Sequence, residues 1–264
     1  MAKSVFNFHS EILGFHQTVQ ILFPDPNVRH LLNGEPKTRE LPVLYLLHGL
    51  KGGAHTWTAY SSVERYLYES GKEMIIVMPE MGNNFYTDQS MGWPYLRYVG
   101  EELPRIVETM MHVSSRREDT YVAGLSMGGY GAMKLALTYP EKFGHVFSFS
   151  GVLDVASLFA NPPKDPVLFS DFAPFVFGEE SGFAGSENDL FALLEKVNAQ
   201  GKPKPEMYLS CGSADELFSA SVKMRDAARN LGYDVRFHEE RAMGHAWRFW
   251  DMEIEKVLRT LITL

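Results

Sequence analysis

The chain has 264 residues, 45% of them hydrophobic, and 33 acidic side chains against 25 basic ones give a formal net charge of −8. That length and apolar content suffice for one substantial core, so a single α/β domain spanning 1–264 is expected. The acidic balance and the lack of a Lys/Arg block argue against nucleic acid as a partner. Polar interruptions in residues 1–9 and the lack of any long uncharged run argue against a signal peptide or a membrane partner, so a cytoplasmic protein is expected.

Segments 5–8 and 16–23 read as strands, and only Ser10 to Phe15 separates them. That is too short for a crossover helix, which predicts an antiparallel pair at the edge of an otherwise parallel sheet. Residues 41–47, Leu-Pro-Val-Leu-Tyr-Leu-Leu, form the strongest apolar run and the next strand, followed by the loop His48-Gly49-Leu50-Lys51-Gly52-Gly53. A strand at 74–78 leads into a long loop dense in polar and aromatic groups, Asn83 to Asp88 and Met91 to Tyr95. It is a candidate recognition loop, with Trp93 as a candidate substrate contact.

Residues 120–123 have the β-branched and aromatic content of a buried strand, and Tyr130 to Leu137 suit a helix. Between them stands Gly124-Leu125-Ser126-Met127-Gly128-Gly129, a serine flanked by glycines at the spacing of a nucleophile elbow. The turn forces the serine into a strained conformation, and side chains at 124 or 128 would collide with the strand or the helix start. Ser126 is therefore the candidate nucleophile. Neither glycine-rich stretch reads as a nucleotide site, since 49–56 lacks the Lys-Ser/Thr ending of a phosphate loop and 124–131 does not fit GxGxxG.

A further strand is expected at 146–150. From Gly151 to Pro205 the pattern changes to Asn161-Pro162-Pro163-Lys164-Asp165-Pro166 and then to Phe-rich, Gly-rich sequence, with one helix near 189–198. This reads as a cap-like insertion at about 152–205 on the side where open α/β sheets bind ligands. Its Phe169, Phe172, Phe175, Phe177 and Phe183 are individually more at home in a core than on a pocket wall.

A serine hydroxyl needs a base and an acid to orient that base, and in this architecture they follow the serine in the order acid, then histidine. A strand at 206–211 ends in the loop Gly212-Ser213-Ala214-Asp215-Glu216, where Asp215 is the candidate acid. Glu216 is the fallback, expected in the first turn of a helix through 222–231, where the dipole favours a carboxylate. Cys211, the one cysteine, reads as a small buried hydrophobe. After a strand at 235–239 comes Gly244-His245-Ala246-Trp247 and a long final helix. His9, His16 and His30 precede the catalytic segments and His238 lies within a strand, so His245 is the candidate base. Acyl transfer also needs donors for an oxyanion. The Met127 amide is one by position, and the Leu50 amide, in the loop after the 41–47 strand, is the candidate for the second.

In Leu47-His48-Gly49-Leu50, Gly124 to Ala132, Ala136 to Phe143, Cys211-Gly212 leading to Asp215, and Gly244-His245 followed by Trp247 and Trp250, the chain resembles the esterase D-like branch of the α/β-hydrolases over nearly its whole length. Within it the likeness is to tributyrin and feruloyl esterases, and more distantly to S-formylglutathione hydrolases and mycolyltransferases. The resemblance implies an α/β-hydrolase fold with helices on both faces. It also implies a serine carboxylesterase with Ser126 as nucleophile, His245 as base, Asp215 as orienting acid and the Leu50 and Met127 amides as oxyanion hole. Short acyl or hydroxycinnamoyl esters are the implied substrates, with no metal or organic cofactor, and Trp93 and Trp247 are candidate substrate contacts. The glutathione-thioester branch carries a cysteine soon after its HGL loop where this chain has Lys51-Gly52-Gly53, which favours oxygen esters. An acyltransferase or a thioesterase would use the same residues, and a catalytically silent binding protein is disfavoured by the presence of all three triad residue types. The aromatic content is compatible with a homo-oligomer.

Overall fold

The computed structural model describes residues 1–25, 40–160 and 173–262. All eight expected strands form: β1 Ala2–His9, β2 His16–Phe23, β3 Val43–Leu47, β4 Ile75–Pro79, β5 Thr120–Leu125, β6 His145–Phe149, β7 Glu206–Gly212 and β8 Val235–Glu240. They make one sheet in the order β1-β2-β4-β3-β5-β6-β7-β8. β1 pairs antiparallel with β2 and β2 with β4, while every remaining pair is parallel. The expected antiparallel edge on a parallel sheet is what forms.

The central strands are buried on both faces, which is why they read as continuous apolar runs rather than alternating ones. In β3, Val43, Tyr45 and Leu47 point into one core and Leu44 and Leu46 into the other. The first core is closed by helices α2 Leu103–Met110, α3 Met127–Thr138, α4 Leu190–Ala199 and α5 Phe218–Asn230, the second by α1 Val63–Ser70 and α6 Trp247–Lys256. Among the described residues no helix is long and apolar enough to cross a membrane.

Two expected boundaries move for identifiable reasons. β3 begins at Val43 rather than residue 41, because Pro42 has no N–H to give the ladder; Leu41 instead forms an isolated bridge with Val113. β6 ends at Phe149, one residue early, because Ser150 turns into the left-handed region at φ 45°.

Between β6 and β7 the described residues form short helices at Val155–Ala160 and Ala173–Phe177, a 3-10 turn at Glu180–Gly182, and α4, whose N-terminal amides on Phe191 and Ala192 are capped by the Asp189 carboxylate. Phe177 and Phe183 are buried as expected, whereas Phe175 is 53% exposed. The Asn161 to Pro166 segment, Phe169 and Phe172, like His30, lie outside the described residues.

One core position is occupied by a lysine. Lys134 lies on α3 with no exposed surface, and its Nζ donates to Thr87 Oγ1 and Asn188 Oδ1, both neutral. Burial pushes its amine down to about 7, with partial relief from the charges of Asp88 and Glu187. Above that value the native lysine is neutral while the unfolded chain still binds a proton. Unfolding therefore takes up a proton, and the contribution of this site to stability rises with pH between about 7 and 10.5. Denaturant unfolding at pH 6.5 and 8.5 should show the wild type gaining about 2 kcal/mol relative to Lys134→Met. A pH-independent difference between the two proteins would contradict the burial of an unpaired charge.

Candidate active site

The site forms where β3, β5, β7 and β8 end. At the close of β5 the chain turns into α3 through Ser126, which sits at φ 53° and ψ −117°. The turn is possible because the neighbouring positions carry no side chain. A Cβ on Gly124 would strike the Gly128 carbonyl, and one on Gly128 would lie 2.5 Å from the Leu47 carbonyl oxygen and 2.6 Å from that of His48. The Ser126 amide donates to the Phe149 carbonyl at 2.9 Å, and its carbonyl accepts from Gly129 and Tyr130. Backbone bonds on both sides thus hold the strained residue.

Asp215 and His245 come from separate loops that are stitched together. Ser213 N–H donates to Glu240 O at 2.9 Å, Ala214 N–H to Met243 O at 3.0 Å, and Ala242 N–H to Ser213 Oγ at 3.0 Å. Gly212 is required here, since a Cβ would run into the Met243 carbonyl. The result is a continuous chain. Asp215 Oδ2 lies 2.9 Å from His245 Nδ1, and His245 Nε2 lies 3.0 Å from Ser126 Oγ. Asp215 Oδ1 accepts from the Leu217 amide at 2.9 Å.

Burial opposes ionisation of Asp215. The hydrogen bond and charge of His245, the Leu217 amide and the Ser150 hydroxyl outweigh it and hold the carboxyl below its usual range. An ionised carboxylate only accepts, so the hydrogen on Nδ1 must belong to His245, and the lone pair of a neutral ring at Nε2 then faces the serine hydroxyl. This arrangement can take a proton from Ser126 and stabilise the imidazolium that results. The edge of His245 meets Trp250 on α6, with ring centroids 4.9 Å apart at 84°.

Glu216 does not take the expected place in a helix. It lies exposed in the turn before Leu217, the residue that caps α5. The Asp215 carboxylate accepts the Leu217 amide, so the helix starts only at Phe218 and Glu216 is left exposed ahead of it.

The loop after β3 is braced from several sides. Trp57 Nε1 donates to Leu47 O at 3.0 Å, and Glu80 Oε2 accepts the Ala54 amide at 2.9 Å. His48 is buried, and burial lowers its pKa. Its Nε2 accepts the Met81 amide at 3.2 Å, so Nδ1 carries the hydrogen and donates to Gly49 O at 2.8 Å. Leu50 is half-buried in this loop, and Met127 is the first residue of α3, where an amide has no intrahelical acceptor.

The two tryptophans fall in different surroundings. Trp247 is half-buried at the start of α6, edge-on to Trp57 and Trp250 and stacked on the exposed Tyr60 at 5.3 Å. Trp93 is 51% exposed and meets Phe15 of the β1–β2 turn edge-on at 5.5 Å. Two residues that sequence reasoning passed over also bear on the site. Ser150 borders Asp215, and Tyr86 donates its hydroxyl to the His48 carbonyl at 2.8 Å. Only the density of aromatic groups in 83–95 pointed toward Tyr86.

The family model described as "Putative esterase" matches residues 10–261. The chain belongs to that family. It is similar to an acetyl esterase of Caldicellulosiruptor saccharolyticus, 28% identical over 258 residues that cover 96% of each chain. Among solved structures it resembles the fluorophosphonate-binding serine hydrolase F of Staphylococcus aureus, with TM-score 0.88 and 28% identity over 100% of this chain and 99% of that one. An S-formylglutathione hydrolase of the same organism has TM-score 0.86 and 28% identity over 99% of each chain. The fold is therefore that of an α/β-hydrolase, and the chain is an enzyme of the carboxylic-ester hydrolase class.

The different settings of the two adjacent carboxylates have a kinetic consequence. Asp215→Asn should lower kcat on an ester by a factor on the order of 10⁴, because asparagine can favour the wrong imidazole tautomer. Glu216→Gln should leave kcat within about twofold, as expected of an exposed surface substitution. Steady-state rates on the two purified variants distinguish them, and the reverse ranking would move the acid by one residue.

Proposed function

We propose that the protein is a serine carboxylesterase that hydrolyses small acyl esters through Ser126, His245 and Asp215. The observation that carries this reading is the unbroken Asp215–His245–Ser126 chain, with 2.9 and 3.0 Å steps, ending on a hydroxyl held in a strained turn. His245 Nε2 takes the Ser126 proton as Oγ attacks the ester carbonyl, and the amides of Met127 and Leu50 receive the developing oxyanion. The tetrahedral intermediate collapses, the alcohol leaves with the proton from Nε2, and an acyl group remains on Oγ. Water then gives its proton to Nε2 and attacks the acyl carbon, and collapse returns the proton to Ser126 and releases the acid.

Short acyl and hydroxycinnamoyl esters are the proposed substrates, the first supported by the acetyl esterase relative. The segment between β6 and β7 and the 83–95 loop, with Trp93 and Trp247, are the proposed walls of the acyl and alcohol pockets. A second reading, thioester hydrolysis by the same residues, is favoured by the S-formylglutathione hydrolase relative.

A fluorophosphonate probe should label the wild type once per chain at Ser126 and fail on Ser126→Ala, which should also lose nearly all turnover while staying folded. Turnover of acetyl, butyryl, octanoyl and feruloyl esters beside a glutathione thioester then ranks the substrates. Highest kcat/KM on the thioester would select the second reading, and labelling retained in Ser126→Ala would overturn the mechanism.

The oxyanion assignment has its own test. Leu50→Ala keeps the amide and should be mild, whereas Leu50→Pro deletes it and should slow acylation by roughly 10²–10³. Pre-steady-state acylation rates decide this, and equal effects of the two substitutions would remove the Leu50 amide from the mechanism.

A further inference from the structure

Phe85 and Tyr86 are consecutive bulky residues in the left-handed region, at φ 54° and 55°. That conformation is unfavourable for aromatic side chains and persists only where the surroundings over-determine it. Here they do. Tyr86 N–H donates to Asn84 Oδ1 at 2.8 Å, and Asn84 Nδ2 donates to the Met81 carbonyl. Phe85 packs edge-on against Tyr130 and Phe177, with ring centroids 5.6 and 5.0 Å apart. The Tyr86 ring fills the space beside Gly131, where an added Cβ would come within 2.8 Å of the Tyr86 Cβ. Next in sequence, Thr87 is held by Lys134 and by Asn188.

What this strained turn contacts is the loop after β3, and it does so on both sides of Leu50. On the N-terminal side the Tyr86 hydroxyl donates to the His48 carbonyl at 2.8 Å, and the Met81 amide donates to the His48 ring at 3.2 Å. On the C-terminal side Asn83 Oδ1 accepts the Lys51 amide at 2.8 Å. One six-residue stretch, 81–86, thus fixes the peptide groups that bracket the Leu50 amide. Rotation of the His48 or Lys51 peptide would swing that amide away from a fixed direction. Oxyanion donors act by being aimed before charge develops, so their supports matter as much as their presence.

We propose that the 81–86 turn is the positioning element of the oxyanion hole, with Tyr86 and Asn83 as its positioning residues. The proposal rests on the reading of Leu50 as an oxyanion donor. It assigns the strain at Phe85 and Tyr86 to delivering a hydroxyl to the His48 carbonyl. As positioning residues they act through the peptides that flank Leu50, so their loss weakens transition-state stabilisation while leaving ground-state binding nearly intact.

The test uses the full chain and three proteins: wild type, Tyr86→Phe and Asn83→Ala. Asn83 is exposed, so its truncation leaves the core untouched. Fluorophosphonate labelling of the wild type comes first. If the wild type is neither labelled nor active on any ester, the catalytic reading itself fails and takes this proposal with it.

With an active wild type, Tyr86→Phe should lower kcat on an acetyl ester by roughly tenfold or more, below the 10²–10³ typical of losing a donor outright. Asn83→Ala should lower it severalfold. KM should stay within about threefold for both, and the affinity of a trifluoromethyl ketone, which forms a tetrahedral adduct, should fall by the same factor as kcat/KM. A general structural defect would lower the fraction of labelled enzyme without changing inhibitor affinity per labelled site. Two folded variants with kcat within twofold of wild type would overturn the proposal, as would a rise in KM at unchanged kcat. If Tyr86→Phe does not fold, Asn83→Ala alone decides by the same criteria.

Discussion

Where β5 meets α3, backbone approaches backbone at distances that exclude every side chain but hydrogen. Gly124 faces the Gly128 carbonyl, Gly128 faces the carbonyls of Leu47 and His48, and Gly129 faces the Cα of Gly151, 2.7 Å from where its own Cβ would be. These contacts tie the ends of β3, β5 and β6 into one rigid corner. Substituting any of the three would require backbone to move, which costs far more than shifting a flexible side chain. The strained serine is a product of that corner. Its amide is paired to Phe149 and its carbonyl to the helix, so φ 53° is set by neighbours rather than by Ser126 itself.

The other half of the site is arranged on the same plan with different means. β7 and β8 run parallel in register from Met207–Val235 to Gly212–Glu240, which brings their two exit loops alongside each other. Backbone bonds then join Ser213 to Glu240 and Ala214 to Met243, and only afterwards do the side chains of Asp215 and His245 meet. Orientation of the imidazole is thus inherited from sheet register. Behind the strands a second polar group supports this edge: Glu253 of α6, almost fully buried, accepts the Tyr208 hydroxyl at 2.8 Å and faces His238 Nδ1 at 2.9 Å.

Much of this was legible because it depends on local chemistry. Continuous apolar runs identify buried parallel strands, the short spacer Ser10 to Phe15 identifies the antiparallel edge, and Gly124 and Gly128 mark places where the backbone needs room. The order serine, aspartate, histidine also carried over, and the structure brings those three side chains within hydrogen-bonding reach. What could not be read depends on contacts between distant segments. Lys134 in the run Ala132 to Leu137 gives no hint that Thr87 and Asn188 will receive its ammonium. Tyr86 is one aromatic residue among several until its hydroxyl is seen on His48. Glu216 was misplaced because the Asp215 carboxylate takes the Leu217 amide and shifts the helix start, a competition between side chain and backbone that no periodicity records.

Cys211, the only thiol in the chain, sits wholly buried on β7, one strand in from the β8 edge of the sheet, with its Sγ 3.9 Å from Ser150 Oγ. Burial, reinforced by the charge of Asp215, pushes the thiol up to about 12, so at neutral pH it is neither exposed nor a thiolate. Alkylating agents and disulfide reagents therefore have nothing to react with while the sheet is closed. The residue becomes a silent reporter whose rate of modification counts excursions that uncover β7. Because it lies four residues from Asp215 on the same strand-to-loop segment, such an opening also loosens the support of Asp215, and a thiol-labelling clock would follow the integrity of that edge.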